Sequence, residues 1–248
     1  MKTHRPVTAV TFDVGGTLIE PWPSVGHVYA EVAARFGLEG VAPGALNRAF
    51  AAAWQARRPF DHSRAAWQRL VNETFAAAGT ELPSDACFNA IYGRFAEASA
   101  WRVFDDSQPA LEALAARGFR LGIISNWDER LRPLLDKLGL AKYFRSLIVS
   151  CEAGHVKPDP EIFLRAAAEL GCDPAAVLHV GDSVPEDAEG AQAAGLQAVL
   201  IERSGRRGRR SKSAGIAVGP PSRISGYGVI TSLMALPASL ESAGASLI

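Results

Sequence analysis

Val10-Thr11-Phe12-Asp13-Val14-Gly15-Gly16-Thr17-Leu18 is the stretch on which the reading of the whole chain turns. An apolar run of strand character ends on Asp13, and the Gly-Gly pair that follows lets the backbone turn sharply and approach a ligand closely. A nucleophilic carboxylate would stand at that point. Taken alone, an Asp-x-Gly-Gly step serves as readily to cap a turn, so the meaning of Asp13 depends on what the rest of the chain places around it.

The 248 residues suffice for one large domain or for a core carrying a smaller insert. Lys plus Arg and Asp plus Glu balance at 26 each, which gives no reason to expect nucleic acid, an anionic membrane or an acidic partner. Cys87, Cys151 and Cys172 are far apart and form no Cys-x-x-Cys, which argues against a disulfide framework or a zinc site and for a reduced, cytoplasmic setting. The first strand starts within a few residues of the N-terminus, leaving no room for a signal peptide. No apolar run approaches the roughly 18 residues that a bilayer span needs. A soluble protein is expected.

Residues 24 to 98 read as nearly pure helix, broken at Gly37, Pro59, Gly79 and Pro83. Four helices are the simplest count. Val25, Val28, Val32 and Phe36 make one apolar stripe, and Phe88, Ile91, Tyr92 and Phe95 recur at i, i+3, i+4 and i+7. The aromatic residues here read as bundle core, with Trp22, Tyr29 and Trp54 as alternatives for substrate contact. Arg57, Arg58, Asp61, His62 and Arg64 read as a solvated turn, again with substrate contact as the alternative.

From Trp101 onward, short apolar strands alternate with amphipathic helices, the pattern of a parallel sheet with right-handed crossovers. Strands are predicted at 120–125, 147–149, 177–180 and 198–201, and helices at 107–117, 128–138, 160–170 and 185–194. The fold class is therefore α/β: a Rossmann-like parallel core with helices on both faces, residues 1–19 and 101–248, and an inserted four-helix domain, residues 20–100. The segment 203–226 is read as a flexible, solvated loop; its basic residues Arg203, Arg206, Arg207, Arg209, Arg210 and Lys212 make phosphate contact the minor option. Gly228-Val229-Ile230 is expected to form a last edge strand, with a short helix after it.

In such sheets ligands bind beyond the carboxyl ends of the strands. Asp13, Ser125 with Asn126, Lys157 and the pair Gly181-Asp182 all fall at or just past those ends. Singly each is weak: Ser125 and Asp182 suit helix caps, and most lysines are surface residues. Together and in this order they make a constellation that chance would seldom assemble. His155 and His179 read as packing or surface residues, and all five histidines stay outside the site.

These residues resemble the haloacid dehalogenase superfamily, and the resemblance covers nearly the whole chain. The first motif of that family, Asp-x-Asp-Gly-Thr, aligns with Asp13-Val14-Gly15-Gly16-Thr17; the second with Ser125; the third with Lys157; and the fourth, Gly-Asp-x-x-x-x-Asp, with Gly181, Asp182 and Asp187. The helical stretch falls where the family inserts a helical cap (C1, subfamily I). The resemblance implies a Mg²⁺-dependent hydrolase of a small phosphorylated metabolite. In that scheme Asp13, Ser125 and Lys157 carry catalysis, while Gly15, Gly16, Thr17 and Asn126 bind the phosphate. Asp13, the Gly15 carbonyl, Asp182 and Asp187 serve the metal. Oligomeric state is not readable.

Position 15 departs from the phosphatase pattern, which has there a second Asp that protonates the leaving oxygen and later activates water. Gly15 keeps a carbonyl for a cation but has no group to move a proton, a function worth roughly 10² to 10⁴ in rate. Three explanations are open: a substrate with a good leaving group, replacement by a group such as Asp128, Glu20 or His27, or binding of a phosphorylated ligand without turnover. Dehalogenases of the family also lack the second Asp, but they work without metal and lack the Gly-Asp pair. A phosphonate-cleaving relative needs a cap lysine, and no lysine lies between Lys2 and Lys137.

Overall fold

The computed structural model describes residues 6–56, 60–203, 222–224 and 227–242. In chain order the elements are β1 (Ala9–Phe12), β2 (Ile19–Pro21), α1 (Val25–Ala34), α2 (Pro43–Ala56), α3 (Arg64–Ala77), α4 (Asp85–Arg94), β3 (Trp101–Val103), α5 (Ser107–Ala116) and β4 (Arg120–Ser125). They continue with α6 (Leu131–Lys137), β5 (Ser146–Val149), α7 (Ser150–Ala153), α8 (Pro160–Glu169), β6 (Val177–Gly181), α9 (Gly190–Ala193), β7 (Gln197–Ile201), β8 (Ser222–Ile224), β9 (Tyr227–Ile230) and α10 (Ala235–Ser242). The chain separates into two compact units: residues 1–18, 104–126 and 142–248, and residues 19–103 with 127–141.

The first unit is a Rossmann-like α/β core. Among the described residues its sheet has the order β5-β4-β1-β6-β7-β9-β8, parallel except for β8. β1 is central and buried along its whole length, as expected of a strand covered on both faces. The crossovers run outward to β4 and β5, then reverse past β1 to β6 and β7, so the carboxyl end of β1 stands at the topological switch point. Ile124, Ile162, Phe163, Ala166 and Val177 are among the residues that fill the core.

The second unit is the inserted helical cap region. Among the described residues α1, α3 and α4 each open on a serine whose hydroxyl accepts from the backbone three positions on: Ser24 from His27, Ser63 from Ala66 and Ser84 from Cys87. The apolar stripes of α1 to α4 meet in one cluster that includes Tyr29, Val32, Leu46, Val71, Phe75 and Ile91. Tyr29 stacks on Phe75 with ring centroids 5.9 Å apart, so this aromatic pair belongs to the bundle core.

The structure differs from the sequence-based expectations at several places. β2 and β3 form a short antiparallel pair that was not foreseen, because three-residue strands carry too little periodicity to read. β9 is not an edge strand: it lies between β7 and β8. The helix expected at 128–138 begins at Leu131, since the Asp128 carboxylate accepts from the amide of Arg130 and holds the preceding turn open. The helix expected at 185–194 is a π-helical turn, Val184–Glu189, followed by α9. Arg203 is fixed by an ion pair with Asp106; Arg206, Arg207, Arg209, Arg210 and Lys212 lie outside the described residues, as do Arg57 and Arg58. Among the described residues no helix is long and apolar enough to cross a membrane.

Phe75 is wholly buried. Truncation by Phe75→Ala is expected to destabilise the helical unit by about 3–5 kcal/mol, read as a lowered midpoint in urea denaturation followed by circular dichroism.

Candidate active site

Strand register sets the site. Phe12 pairs with Ile123 on one side and Val180 on the other, so Asp13, Ser125 and Asp182 leave the sheet at nearly the same level. Asp13 extends the β1 ladder by one bond, its amide donating to the Val180 carbonyl at 2.9 Å. The chain then turns through Gly16, whose φ of 89° favours glycine. The amides of Thr17 and Leu18 close that turn on the Val14 carbonyl, at 3.3 and 2.9 Å.

Lys157 arrives from the loop before α8. Its Nζ donates to Asp13 Oδ1 at 2.8 Å and to Asp187 Oδ1 at 2.5 Å. Ser125 Oγ donates to the same Asp13 oxygen at 2.9 Å. Both neighbours thus hold Oδ1, and among the described residues Oδ2 carries no hydrogen bond. Burial works against the Lys157 ammonium, but the Asp13 and Asp187 carboxylates more than reverse this and raise its pKa above the ordinary lysine value. Burial likewise opposes the Asp187 carboxylate, and the charges of Lys157 and the hydrogen bond from His179 overcome it, holding that group well below the usual range.

Asn126 secures the lysine from behind. Its side-chain oxygen accepts from the Lys157 amide at 2.7 Å, and its Nδ2 donates to the Lys157 carbonyl at 3.0 Å. Thr17 is fully buried; its hydroxyl has no partner among the described residues, and its carbonyl accepts from Arg203. Asp13, Asp182 and Asp187 place carboxylate oxygens within 4.8 Å of one another. Three hard oxygen donors against one ammonium suit a small divalent cation.

The π-helical turn explains how Asp187 enters this group. Asp187 Oδ2 accepts from the Ser183 amide at 2.9 Å, and the Ala188 amide reaches the Ser183 carbonyl across five residues at 3.2 Å. Insertions of this kind concentrate at functional sites. Gly181 is required for the approach, because a Cβ there would overlap the Asp187 carboxyl group.

His179 was missed in the sequence. It is completely buried in β6, with Nε2 at 3.1 Å from Asp187 Oδ1 and Nδ1 at 3.0 Å from Thr11 Oγ1. An ionised carboxylate only accepts, so Nε2 carries the proton, and in the neutral ring the Thr11 hydroxyl donates to Nδ1. Burial pushes the imidazole pKa down despite the Asp187 carboxylate. The alternation of Thr11 and His179 with apolar neighbours on adjacent strands was the one available signal, and only the β1–β6 pairing gives it meaning.

The three groups considered as replacements at position 15 are engaged within the helical unit. Asp128 is buried and bound by Arg130, Nε to Oδ1 at 2.8 Å and Nη2 to Oδ2 at 2.5 Å. Glu20 pairs with Arg102, and His27 Nδ1 lies 2.7 Å from Ser24 Oγ.

These buried charges set the response to pH. The contribution of Lys157, whose pKa is raised, is complete below the unfolded lysine value of about 10.4 and lost above it; that of Asp187, whose pKa is depressed, is complete above about 3.9 and lost in acid. His179, whose pKa is also depressed, acts in the same direction as Asp187. Below about pH 6.5 the unfolded chain takes up a proton that the folded core refuses, so stability falls toward acid by up to about 1.4 kcal/mol per pH unit. Denaturation curves between pH 7 and 5 should show this fall, and His179→Gln should flatten it; an unchanged slope would place the proton uptake elsewhere.

Comparison with known proteins agrees with this geometry. The pattern of the haloacid dehalogenase-like hydrolases matches residues 7–195. The chain is 34% identical over 210 residues to the Homo sapiens protein named haloacid dehalogenase-like hydrolase domain-containing protein 3, covering 80% of this chain and 83% of that one. A solved HAD phosphatase from Thermococcus onnurineus superposes with a TM-score of 0.64 at 27% identity, over 94% of this chain and 98% of its own. A 2-haloacid dehalogenase from Pseudomonas syringae pv. Tomato DC3000 does so with a TM-score of 0.61, also at 27% identity, over 96% of this chain and 99% of its own. A family match across most of the chain, on a sheet of the same kind, makes this protein a member of the haloacid dehalogenase-like hydrolases and an enzyme of the hydrolase class.

Proposed function

We propose that the protein is a Mg²⁺-dependent phosphoric ester hydrolase of the helical-cap type, acting in the cytoplasm on a small phosphorylated metabolite through an aspartyl phosphate. The observation that carries this reading is the Lys157 ammonium held between Asp13 and Asp187, beside a third carboxylate, Asp182. A phosphoryl dianion reaches a carboxylate nucleophile only where positive charge is concentrated. The resemblance to a HAD phosphatase points the same way.

Asp13 is the nucleophile. Ser125 and Lys157 hold Oδ1, and Oδ2 attacks phosphorus; the bond from phosphorus to the leaving oxygen breaks as the carboxyl–phosphorus bond forms. The leaving alkoxide takes its proton from solvent, since Gly15 offers none. Water then attacks phosphorus and loses its proton to solvent as the carboxyl–phosphorus bond breaks, returning the Asp13 carboxylate and releasing orthophosphate. Ser125 and the amides of the Gly15-Gly16 turn bind phosphoryl oxygens, with Thr17 shaping that turn. Asn126 acts through Lys157, whose main chain it clamps. Asp13, Asp182 and the Gly15 carbonyl would hold Mg²⁺ directly or through water, with Asp187 behind them, and the ion would supply charge neutralisation at the phosphoryl group.

The engagement of Asp128, Glu20 and His27 by their own partners leaves the loss of the position-15 carboxylate uncompensated by them, which favours a substrate with a good leaving group. Hydrolysis of an aryl phosphate should therefore be detectable with Mg²⁺ and abolished by EDTA and by Asp13→Asn; hydrolysis that survives EDTA would overturn the metal requirement, and halide release from a 2-haloacid in EDTA would move the reading toward dehalogenation. Restoring the proton donor by Gly15→Asp should raise turnover of alkyl phosphates by roughly 10²- to 10⁴-fold. No turnover by either form across a broad phosphate panel would favour a ligand-binding role over phosphate hydrolysis.

A further inference from the structure

Arg203 lies beyond the span matched by the family pattern, which ends at residue 195, yet its side chain reaches back to the loop that carries the nucleophile. Its Nη1 donates to both carboxylate oxygens of Asp106, at 2.7 and 2.8 Å, and its Nη2 donates to the carbonyl of Thr17. The guanidinium lies over the ring of Phe104, 4.1 Å from its centroid, and the side chain is only 7% exposed. Asp106 is held in turn by Ser232 Oγ at 2.7 Å and by the Leu233 amide at 2.8 Å. One ion pair thereby ties together the end of the Asp13 loop, the start of α5 and the segment after β9.

The Thr17 carbonyl and the Leu18 amide belong to the same planar peptide unit. Arg203 holds its oxygen, and its N–H donates to the Val14 carbonyl at 2.9 Å. The plane is gripped at both ends, and Val14 is the residue next to Asp13. The following carbonyl, that of Leu18, is held by the Phe104 amide at 3.1 Å and Ser107 Oγ at 2.9 Å. The loop from Asp13 to Leu18 is thus set from outside by fixed donors, of which Arg203 is the charged one.

We propose that Arg203 is a positioning residue for the nucleophile loop: by fixing the Thr17–Leu18 peptide plane it sets where the Gly15 and Gly16 amides point. Its effect on rate rests on Asp13 being the reacting group, but its effect on the loop does not. Arginine is suited to the task because its planar fork serves Asp106 and Thr17 at once while stacking on Phe104; a lysine keeps the charge for Asp106 but has no such fork.

Hydrogen exchange of the full chain, read by mass spectrometry, tests the loop directly. In Arg203→Lys the peptide covering Asp13–Leu18 should exchange on the order of 10-fold faster, with peptides of β4 and β6 at the wild-type rate. Asp106→Asn, which loosens the guanidinium without removing it, should change the same peptide in the same direction. Under the proposed activity, kcat for aryl phosphate should fall roughly 10- to 100-fold in Arg203→Lys with the thermal midpoint little changed. Unaltered exchange at the loop, or an equal increase across the whole sheet, would overturn the proposal by making Arg203 a general stabiliser. A wild-type protein without any turnover would overturn the assigned activity and leave the exchange result to decide the role of Arg203.

Discussion

Everything at the carboxyl edge of this sheet depends on one buried ammonium. Lys157 Nζ stands between Asp13 and Asp187 with almost no exposure, and charges so placed are tolerated only in company. Removing one member of such a buried pair typically costs 3–5 kcal/mol, because the other is left uncompensated. The surrounding structure serves to keep the lysine there: Asn126 clamps its main chain, Ser125 shares its acceptor, and His179 shares the Asp187 oxygen. The same arrangement is what the proposed phosphoryl transfer needs, so the stability of the edge and that chemistry would draw on the same contacts.

Around that charge, backbone geometry does what side chains alone would not. The π-helical turn carries Asp187 toward Lys157, and the absence of a Cβ at Gly181 leaves room for its carboxylate. Gly16 supplies the positive φ that folds the first loop back on Val14. Gly15 differs from both: it has no side chain that could move a proton.

Much of this was legible along the chain. The period-2 and period-3.6 patterns placed the core strands β1, β4, β5, β6 and β7 and the helices α1 to α4, because each buries enough apolar surface to leave a clear rhythm. Strands of three residues, such as β2, β3 and β8, leave none. A lone histidine inside an apolar strand looks like packing, and the partners of His179, Thr11 and Asp187, lie on other elements. Nothing local distinguishes Arg203 from the basic residues that follow it. Its partners, Asp106 and Thr17, are remote in sequence.

By itself the sequence determined the fold class, the family and the list of polar residues at the strand ends, because alternating hydrophobicity and motif order are local and one-dimensional properties. Only the tertiary structure decided which oxygen of Asp13 is held, that Asn126 acts on the backbone of Lys157, that His179 lies beneath Asp187, and that Asp128 is committed to Arg130. Those outcomes follow from strand register and from loops packed at close range, where a single hydrogen bond changes the role of a residue without altering its letter.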